Sequence, residues 1–204
     1  MAKTGIFGGS FNPVHMGHLI LAEWVRVERS LETVLFVPAA SPPHKPNRPL
    51  ADPAHRLRMV ELALDGHDAF RTEPIELERK GPSYTLKTVR ELRERPGLGE
   101  LYLIMGADSL LDLPDWWHAE ELAREAPVIV FNRPGCALEE RWGELAEHFG
   151  QGWVDSTRQL RVDAPLMELS ATVVRERVRA GLSIRYMVPE PVRAYIAEHG
   201  LYAG

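Results

Sequence analysis

The strongest constraint on this chain lies in its first eighteen residues. A short apolar run from Thr4 to Phe7 is followed by Gly8 and Gly9, and then by a segment that ends at His18. A strand that ends in two glycines lets the backbone turn tightly and approach an anion closely. We expect a helix to begin near Met16, with its free N–H groups directed at the same place. The pattern predicts a strand, a phosphate-binding loop and a helix in immediate succession.

Two histidines stand at the start of that helix. His15 and His18 are three residues apart, so both imidazoles project from one helix face toward the expected phosphates. Gly17 leaves space that a side chain would take from a nucleotide. A helix cap and a metal pair are the alternatives, but zinc would need a third ligand from elsewhere. Because the glycine loop and Pro13 precede the pair, we favour phosphate binding and expect no metal site built from protein side chains.

Short apolar runs alternate with amphipathic stretches along the rest of the chain. Strands are predicted at residues 33–38, 70–77, 101–105 and 128–131, and a weaker one at 160–162. Helices are predicted at residues 19–29, 53–65, 85–95, 116–125 and 138–148. This alternation is typical of βαβ units. It predicts an α/β fold with a doubly wound parallel sheet of five or six strands.

Helix boundaries and the tail follow from local signals. Asp52 before Pro53 predicts an N-cap with a first-turn proline, and Gly181 and Gly200 predict helix ends. Further caps are expected at Ser83 or Thr85 and at Asp115. The tail is predicted as a helix from Ser170, a turn at 187–189 and a last helix at 190–199. We expect one domain over residues 1–204, with a core at 1–168 and a small helical C-terminal portion at 169–204.

Composition excludes several classes of protein. The chain has 204 residues, a formal net charge of −5, one cysteine and no long apolar run. It is long enough for one buried core, and its charge does not favour nucleic acid. We expect no membrane insertion, and the lone Cys136 and the absence of an N-terminal leader pattern favour the cytoplasm. Oligomeric state is left open.

Other candidate ligand residues lie at predicted loops and helix starts. Lys45 stands in a proline-rich loop, where an ammonium would be a point charge for a phosphate, although most lysines are solvated. Asp108 follows a predicted strand and would accept ribose hydroxyls or cap a helix. Ser170, Thr172 and Arg175 would offer hydroxyls, backbone N–H groups and a forked cation to phosphates, or Ser170 would be a plain N-cap.

Aromatic residues predict the place of a ring. Trp116 and Trp117 are adjacent in the sequence. On a helix they would face different directions, so at most one is a buried anchor and the other is free to stack on a ligand. Core packing is the alternative for both. Tyr84 and Thr85 stand at a predicted helix start, whose N–H groups suit a carboxylate.

These motifs carry a resemblance to a known family. The segment GGSFNPVHMGHL resembles the GxFxPxHxGH signature of nucleotidyltransferases with the HxGH motif. The segments PPHK, GPSYT, GAD, PDW and LSATVVR follow in the order and spacing of bacterial nicotinate-mononucleotide adenylyltransferases, over essentially the whole chain. Ala171 departs from the family, which often has a second serine there.

The resemblance implies a Rossmann-like fold and a reaction. AMP would pass from ATP to nicotinate mononucleotide, giving nicotinate adenine dinucleotide and pyrophosphate on the route to NAD, with Mg²⁺ bound mainly through the ATP phosphates. His15, His18 and Arg175 would be catalytic. The implied ATP-binding residues are Gly8, Gly9, Ser10, Phe11, His15, Gly17, His18, Ser170, Thr172 and Arg175. The implied mononucleotide-binding residues are Ser10, Lys45, Tyr84, Thr85, Asp108 and Trp116.

Three other functions are weighed against this one. Within the superfamily, the acceptor would be another phosphate such as phosphopantetheine or glycerol phosphate, but Trp116 and the SYT segment argue against it. A nucleotide sensor without turnover is disfavoured because both HxGH histidines and Lys45 are present. A histidine metalloprotein would carry stoichiometric transition metal after purification.

Overall fold

The computed structural model describes residues 2–41, 50–133 and 135–203. Within these ranges the strands are β1 (Lys3–Gly9), β2 (Thr33–Pro38), β3 (Phe70–Thr72), β4 (Glu100–Gly106) and β5 (Val128–Phe131). The helices are α1 (Met16–Glu28), α2 (Pro53–Leu64), α3 (Ile75–Glu78), α4 (Thr85–Arg93), α5 (Ala107–Leu111), α6 (Ala119–Glu125), α7 (Leu138–Phe149), α8 (Gln151–Gln159), α9 (Ala171–Arg179) and α10 (Glu190–Glu198). A 3₁₀ turn spans Leu113–Asp115.

The five strands form one sheet in the order β3-β2-β1-β4-β5, and every neighbouring pair is parallel. β1 lies at the centre, where Ile6 pairs with Leu35 of β2 and with Leu103 of β4. Strands that run in one direction end at one edge of the sheet, which is where open α/β sheets bind ligands. The predicted doubly wound parallel sheet is confirmed, with five strands.

Each face of the sheet is covered by its own apolar cluster. Because strand side chains alternate between faces, Phe7 belongs to one cluster and its neighbour Ile6 to the other. The Phe7 cluster is completed by α1, α2, α9 and α10, and the Ile6 cluster by α3 to α8. The C-terminal helices therefore share a core with the helix that follows the glycine loop. Among the described residues, no helix has the length and apolar character needed to cross a membrane.

Two predicted strands are wrong in extent. The strand predicted at 70–77 ends at Thr72, because Pro74 has no N–H for the ladder and instead starts α3. The strand predicted at 160–162 is a single bridge between Val162 and Phe131. The unpredicted helix α8 ends at Gln159, so the chain leaves a helix only three residues before this bridge.

The helix predicted at 116–125 begins at Ala119 instead. His118 has a φ of 53°, in the left-handed region, so it interrupts a helix between the tryptophans and α6. The predicted cap Asp115 lies in the 3₁₀ turn, and the position before α4 is held by Tyr84 with no side-chain cap, rather than by Ser83 or Thr85.

The other boundary signals are confirmed. The Asp52 carboxylate accepts a hydrogen bond of 2.8 Å from the Ala54 N–H, with Pro53 in the first turn of α2. Gly181 and Gly200 follow α9 and α10 and have φ values of 66° and 58°, a left-handed conformation that glycine adopts easily. Ser170 caps α9 by accepting from the Val173 N–H at 3.3 Å.

We predict that Asp52→Ala lowers the free energy of unfolding by about 1 kcal/mol, because the first N–H groups of α2 lose their side-chain acceptor. Asp52→Asn keeps an acceptor of the same reach and should stay near the parent. Urea unfolding of the three proteins measures this, and equal stabilities for Asp52→Ala and Asp52→Asn would contradict the cap.

Candidate active site

A cavity opens at the carboxyl ends of β1, β2, β4 and β5. It brings together nine of the sequence-predicted residues, namely Gly8, Gly9, Ser10, His15, Gly17, His18, Thr85, Asp108 and Trp116. Leu169, at the approach to α9, lines it as well. Predicted residues whose positions are close by but outside this lining are Phe11, Tyr84, Ser170, Thr172 and Arg175. The predicted Lys45 falls outside the described residues.

Gly8 and Gly9 end β1, as predicted. They do not make the turn, however, which is made by Phe11 with a φ of 43°. A Cβ on Gly8 would meet nothing within 4 Å, so this glycine keeps the cavity wall flat. A Cβ on Gly9 would lie 3.2 Å from the Phe11 ring. That ring is buried, so Phe11 holds the loop through packing and only its backbone is available to a ligand.

The two histidines are stacked at the start of α1. Their ring centroids are 3.7 Å apart, with 28° between the ring planes. The His15 backbone N–H donates to Nδ1 of His18 at 3.2 Å. Since Nδ1 of His18 accepts, the neutral ring carries its proton on Nε2, which leaves that atom as a donor.

Both imidazoles are held in the neutral form. Burial, and next the positive charge of Arg133, lower the pKa of His15 to about 4. Burial lowers the pKa of His18 well below its ordinary value, with smaller contributions from His15 and Arg133. Burial disfavours a charged imidazole because water is removed from it. The two neutral rings can therefore donate hydrogen bonds to an anionic ligand.

Gly17 is required by packing between the histidine and α9. A Cβ there would lie 3.1 Å from two atoms of the His15 ring and 3.7 Å from the Leu169 carbonyl oxygen. The sequence prediction assigned this space to the nucleotide. The structure shows that His15 itself takes the space.

Helix α9 is joined to the loop after β1. The Arg175 guanidinium donates to the Asn12 carbonyl oxygen at 2.8 Å and to Oγ1 of Thr172 at 3.3 Å. Arg175 thus lies between the loop and the first turn of α9, whose N–H groups are directed at the same region. The predicted cation and the helix start come together beside the cavity.

Arg133 is a site residue that the sequence analysis missed. Its guanidinium approaches the Asp108 carboxylate at 3.3 and 3.4 Å on the cavity wall. Gly106 makes this approach possible, since a Cβ there would lie 2.6 Å from Asp108 and 3.0 Å from Arg133. The signal was available, because Arg133 follows β5 just as Asp108 follows β4, and both strands end at the ligand edge.

The two tryptophans have different surroundings. The Trp117 ring stacks on the Tyr84 ring with centroids 4.5 Å apart, and the Lys87 ammonium lies 5.3 Å from the Trp117 ring centroid. Trp116 instead lines the cavity. Between the two, Trp116 is therefore the one placed to meet a ligand ring.

The start of α4 forms the wall near Trp116. Thr85 is the first residue of this helix, so its backbone N–H has no partner within the helix. Beneath it lies Glu76, a buried residue that the sequence analysis missed, which accepts from the Thr88 hydroxyl at 2.7 Å. Burial raises the pKa of the Glu76 carboxyl, and hydroxyls of Thr88 and Ser83 oppose that rise. No pattern in the sequence distinguishes Glu76 from the surrounding surface glutamates.

Comparisons with known proteins identify the family of the chain. A family model described as cytidylyltransferase-like matches residues 6–177. A probable nicotinate-nucleotide adenylyltransferase of Salinibacter ruber is 48% identical over 98% of this chain and 97% of its own length. The corresponding protein of Thermomicrobium roseum is 43% identical over 99% of this chain and 92% of its own length.

A solved structure shares the fold. The nicotinic acid mononucleotide adenylyltransferase of Plasmodium falciparum, solved in complex with NaAD, superposes with a TM-score of 0.77 over 99% of this chain and 98% of its own. Its identity is 16%, so it bears on the fold alone. The resemblance read from the motifs is confirmed by the sequence relatives. The chain belongs to the cytidylyltransferase-like family and, within it, to the nicotinate-nucleotide adenylyltransferases.

Proposed function

We propose that this chain transfers the AMP moiety of ATP to nicotinate mononucleotide, forming nicotinate adenine dinucleotide and pyrophosphate in NAD biosynthesis. The observation that carries the proposal is the cavity itself, which has stacked neutral histidines at one part of its wall and Trp116 beside the start of α4 at another. The test is pyrophosphate release from ATP with a panel of acceptors: nicotinate and nicotinamide mononucleotides, phosphopantetheine and glycerol phosphate.

ATP is assigned to the loop and the two flanking helix starts. Backbone groups of residues 8–11 and of Gly17 on the cavity wall receive the nucleotide, while Ser170, Thr172 and Arg175 receive its outer phosphates. His15 and His18 donate to the phosphoryl group that is transferred. A neutral donor that needs no reorganisation stabilises charge as it develops in the transition state.

The mononucleotide is assigned to the other side of the cavity. Trp116 stacks on its ring, the backbone near Tyr84 and Thr85 receives its carboxylate, and Asp108 accepts from its ribose. Ser10 and Lys45 are assigned to its phosphate. Asp108 is oriented for this by Arg133, which the structure adds to the site.

The reaction needs no protein nucleophile or general base. The acceptor phosphate is already anionic at neutral pH and attacks the α-phosphorus of ATP, with pyrophosphate as the leaving group. The protein contributes in-line positioning and charge stabilisation. This agrees with a wall rich in donors and with neutral histidines, which donate hydrogen bonds without transferring a proton.

ATP-using enzymes of this family generally use a divalent metal ion, and we assign Mg²⁺. The described residues contain no group of three or more His, Cys, Asp or Glu side chains placed to cage a metal. Mg²⁺ bound through ATP phosphates and its own waters needs no such cage, and Asp112 on the cavity wall is chemically suited to those waters. The ion supplies neutralisation of phosphate charge.

The remaining assignments concern the chain as a whole. We propose that residues 1–204 act as a single nucleotidyltransferase domain, because helices on both sides of residue 169 share one apolar cluster. A cytoplasmic location fits the single cysteine, and the net charge of −5 does not favour nucleic acid as a partner.

We predict that His18→Ala lowers kcat at least a hundredfold, because a donor aimed at developing charge contributes about 3 kcal/mol. His148→Ala, on the exposed face of α7, is the control and should keep parent turnover. Steady-state pyrophosphate release measures both. Near-parent turnover in folded His18→Ala would remove His18 from the chemistry.

Stability should fall in acid because of the buried pair. The pKa of His15 is about 4 in the folded protein against 6.5 in the unfolded chain, so only the unfolded chain takes up this proton between those values. Stability is therefore full above pH 6.5 and is lost as pH falls toward 4, by about 3 kcal/mol at 1.36 kcal/mol per pKa unit. Urea unfolding at pH 7.5, 5.5 and 4.5 should show a smaller loss in His15→Gln than in the parent or His148→Ala. Equal losses in all three would contradict the buried neutral ring.

We predict a strong preference for nicotinate over nicotinamide mononucleotide. A nicotinamide NH₂ would set donor against donor at the start of α4, and leaving such groups unpaired costs about 1–3 kcal/mol, or roughly ten- to a hundredfold. Trp116→Ala should weaken the binding of both mononucleotides and leave the ratio of their kcat/KM values unchanged. Stacking depends on the ring, which both share, whereas the N–H donors interact with the substituent that differs. The measurement is the ratio of kcat/KM values in both proteins. A parent ratio near one would rule out the carboxylate pocket.

A further inference from the structure

Arg56 is fully buried in α2, with none of its side chain exposed. Its nearest hydrogen-bond partners are backbone carbonyl oxygens rather than carboxylates. Nε donates to Ala51 at 3.0 Å, and Nη1 donates to Ser10 at 2.8 Å and to Ala39 at 2.7 Å. Burial lowers the pKa of this guanidinium because water is removed from its charge. Desolvation of a buried charge lowers the stability of the folded protein.

The three carbonyls belong to three segments that meet behind the cavity. Ser10 and Ala39 line the cavity itself, at the ends of β1 and β2. Ala51 stands just before α2. A planar fork with several donors is suited to holding such carbonyls in one arrangement, and a lysine ammonium is not.

Asn12 makes a second connection between the same segments. Its side-chain oxygen accepts from the Ala51 N–H at 3.0 Å and from the Tyr202 hydroxyl at 2.9 Å. Tyr202 lies beyond the last helix. Burial raises the pKa of its hydroxyl, and the positive charges of Arg175 and Arg56 oppose that rise. We name Arg56, Asn12 and Tyr202 the carbonyl clamp.

A third connection reaches the opposite wall of the cavity. The Ser83 hydroxyl oxygen accepts from the backbone N–H groups of Ala40 and Ser41 at 2.9 and 3.2 Å. Ala39 to Ser41 are thus held on one side by Arg56 and on the other by the residue two before α4. The wall between the histidines and the α4 start is continuous through these hydrogen bonds.

We infer that Arg56 is a positioning residue for the transfer reaction, which sets the phosphate loop at Ser10 against the wall at Ala39 so that the two substrates meet in line. The inference rests on the proposed function. Arg56 touches neither substrate, because it acts through backbone carbonyls. An in-line displacement is sensitive to displacements of about 1 Å, so loosening this wall should reduce turnover more than binding.

The experiment compares Arg56→Lys with two controls on the same helix. Arg58→Lys makes the same chemical change at an exposed residue paired only with Glu61 among the contacts described. Asp52→Ala weakens α2 at its cap and keeps the side-chain hydrogen bonds of the clamp, although it also removes a carboxylate whose charge favours the Arg56 guanidinium. For each protein, kcat, KM for both substrates, ATP affinity by calorimetry and Tm are measured at a temperature where all are folded.

We expect Arg56→Lys to lower kcat at least tenfold, with ATP affinity and both KM values within threefold of the parent. Both controls should keep kcat within twofold, although Asp52→Ala lowers Tm. A kcat within twofold of the parent in folded Arg56→Lys, or a loss that Asp52→Ala reproduces, overturns the inference.

If Arg56→Lys does not fold, a milder variant tests the positioning role. Tyr202→Phe removes one hydrogen bond of the clamp at a residue far along the chain from the loop. A threefold or larger loss of kcat at unchanged Tm supports positioning, and an unchanged kcat overturns it. The parent assay separates this from the proposed function: a parent active only with another acceptor refutes the nicotinate assignment, and the kcat ratios are then measured with that acceptor.

Discussion

The parallel pairing of β1 with both β2 and β4 is the constraint on which the rest of the structure depends. It places the ends of the central strands at one edge of the sheet, and most residues that line the cavity lie near that edge or on a helix that starts beside it. Because β1 is covered on both faces, its position is fixed by Ile6 in one apolar cluster and Phe7 in the other. The loop after Gly9 therefore begins from a rigid base.

Burial determines the electrostatics of that loop. Removing water keeps His15 and His18 neutral, and Arg133 reinforces the effect from β5. Arg56 and Arg175 supply positive charge next to the loop, but both donate to backbone carbonyls of it, at Ser10 and Asn12. The cations near the phosphate loop thus fix its conformation through hydrogen bonds and also make the local potential positive. A protein with a negative net charge can attract anionic substrates in this way, because the local potential at the site is positive.

Much of the architecture was predictable because it depends on local pattern. The alternation of apolar strands and amphipathic helices predicts the sheet, and Asp52, Gly181 and Gly200 mark helix ends through interactions within a few residues. The errors arose where a single residue, rather than a repeating pattern, set the boundary of a strand or helix. Pro74 shortened a strand, and the left-handed His118 separated Trp116 from the helix predicted to carry it.

The sequence by itself determined the kind of fold and most of the predicted site, because the HxGH segment and the helix starts carry their chemistry in adjacent residues. Only the tertiary structure decided which groups face one another. Arg133 meets Asp108 across 25 positions, and Arg56 meets Ser10 across 46. It also decided that Trp117 stacks on Tyr84 while Trp116 lines the cavity. Such pairings depend on how separate elements pack together. A local sequence pattern does not show which distant residues come into contact.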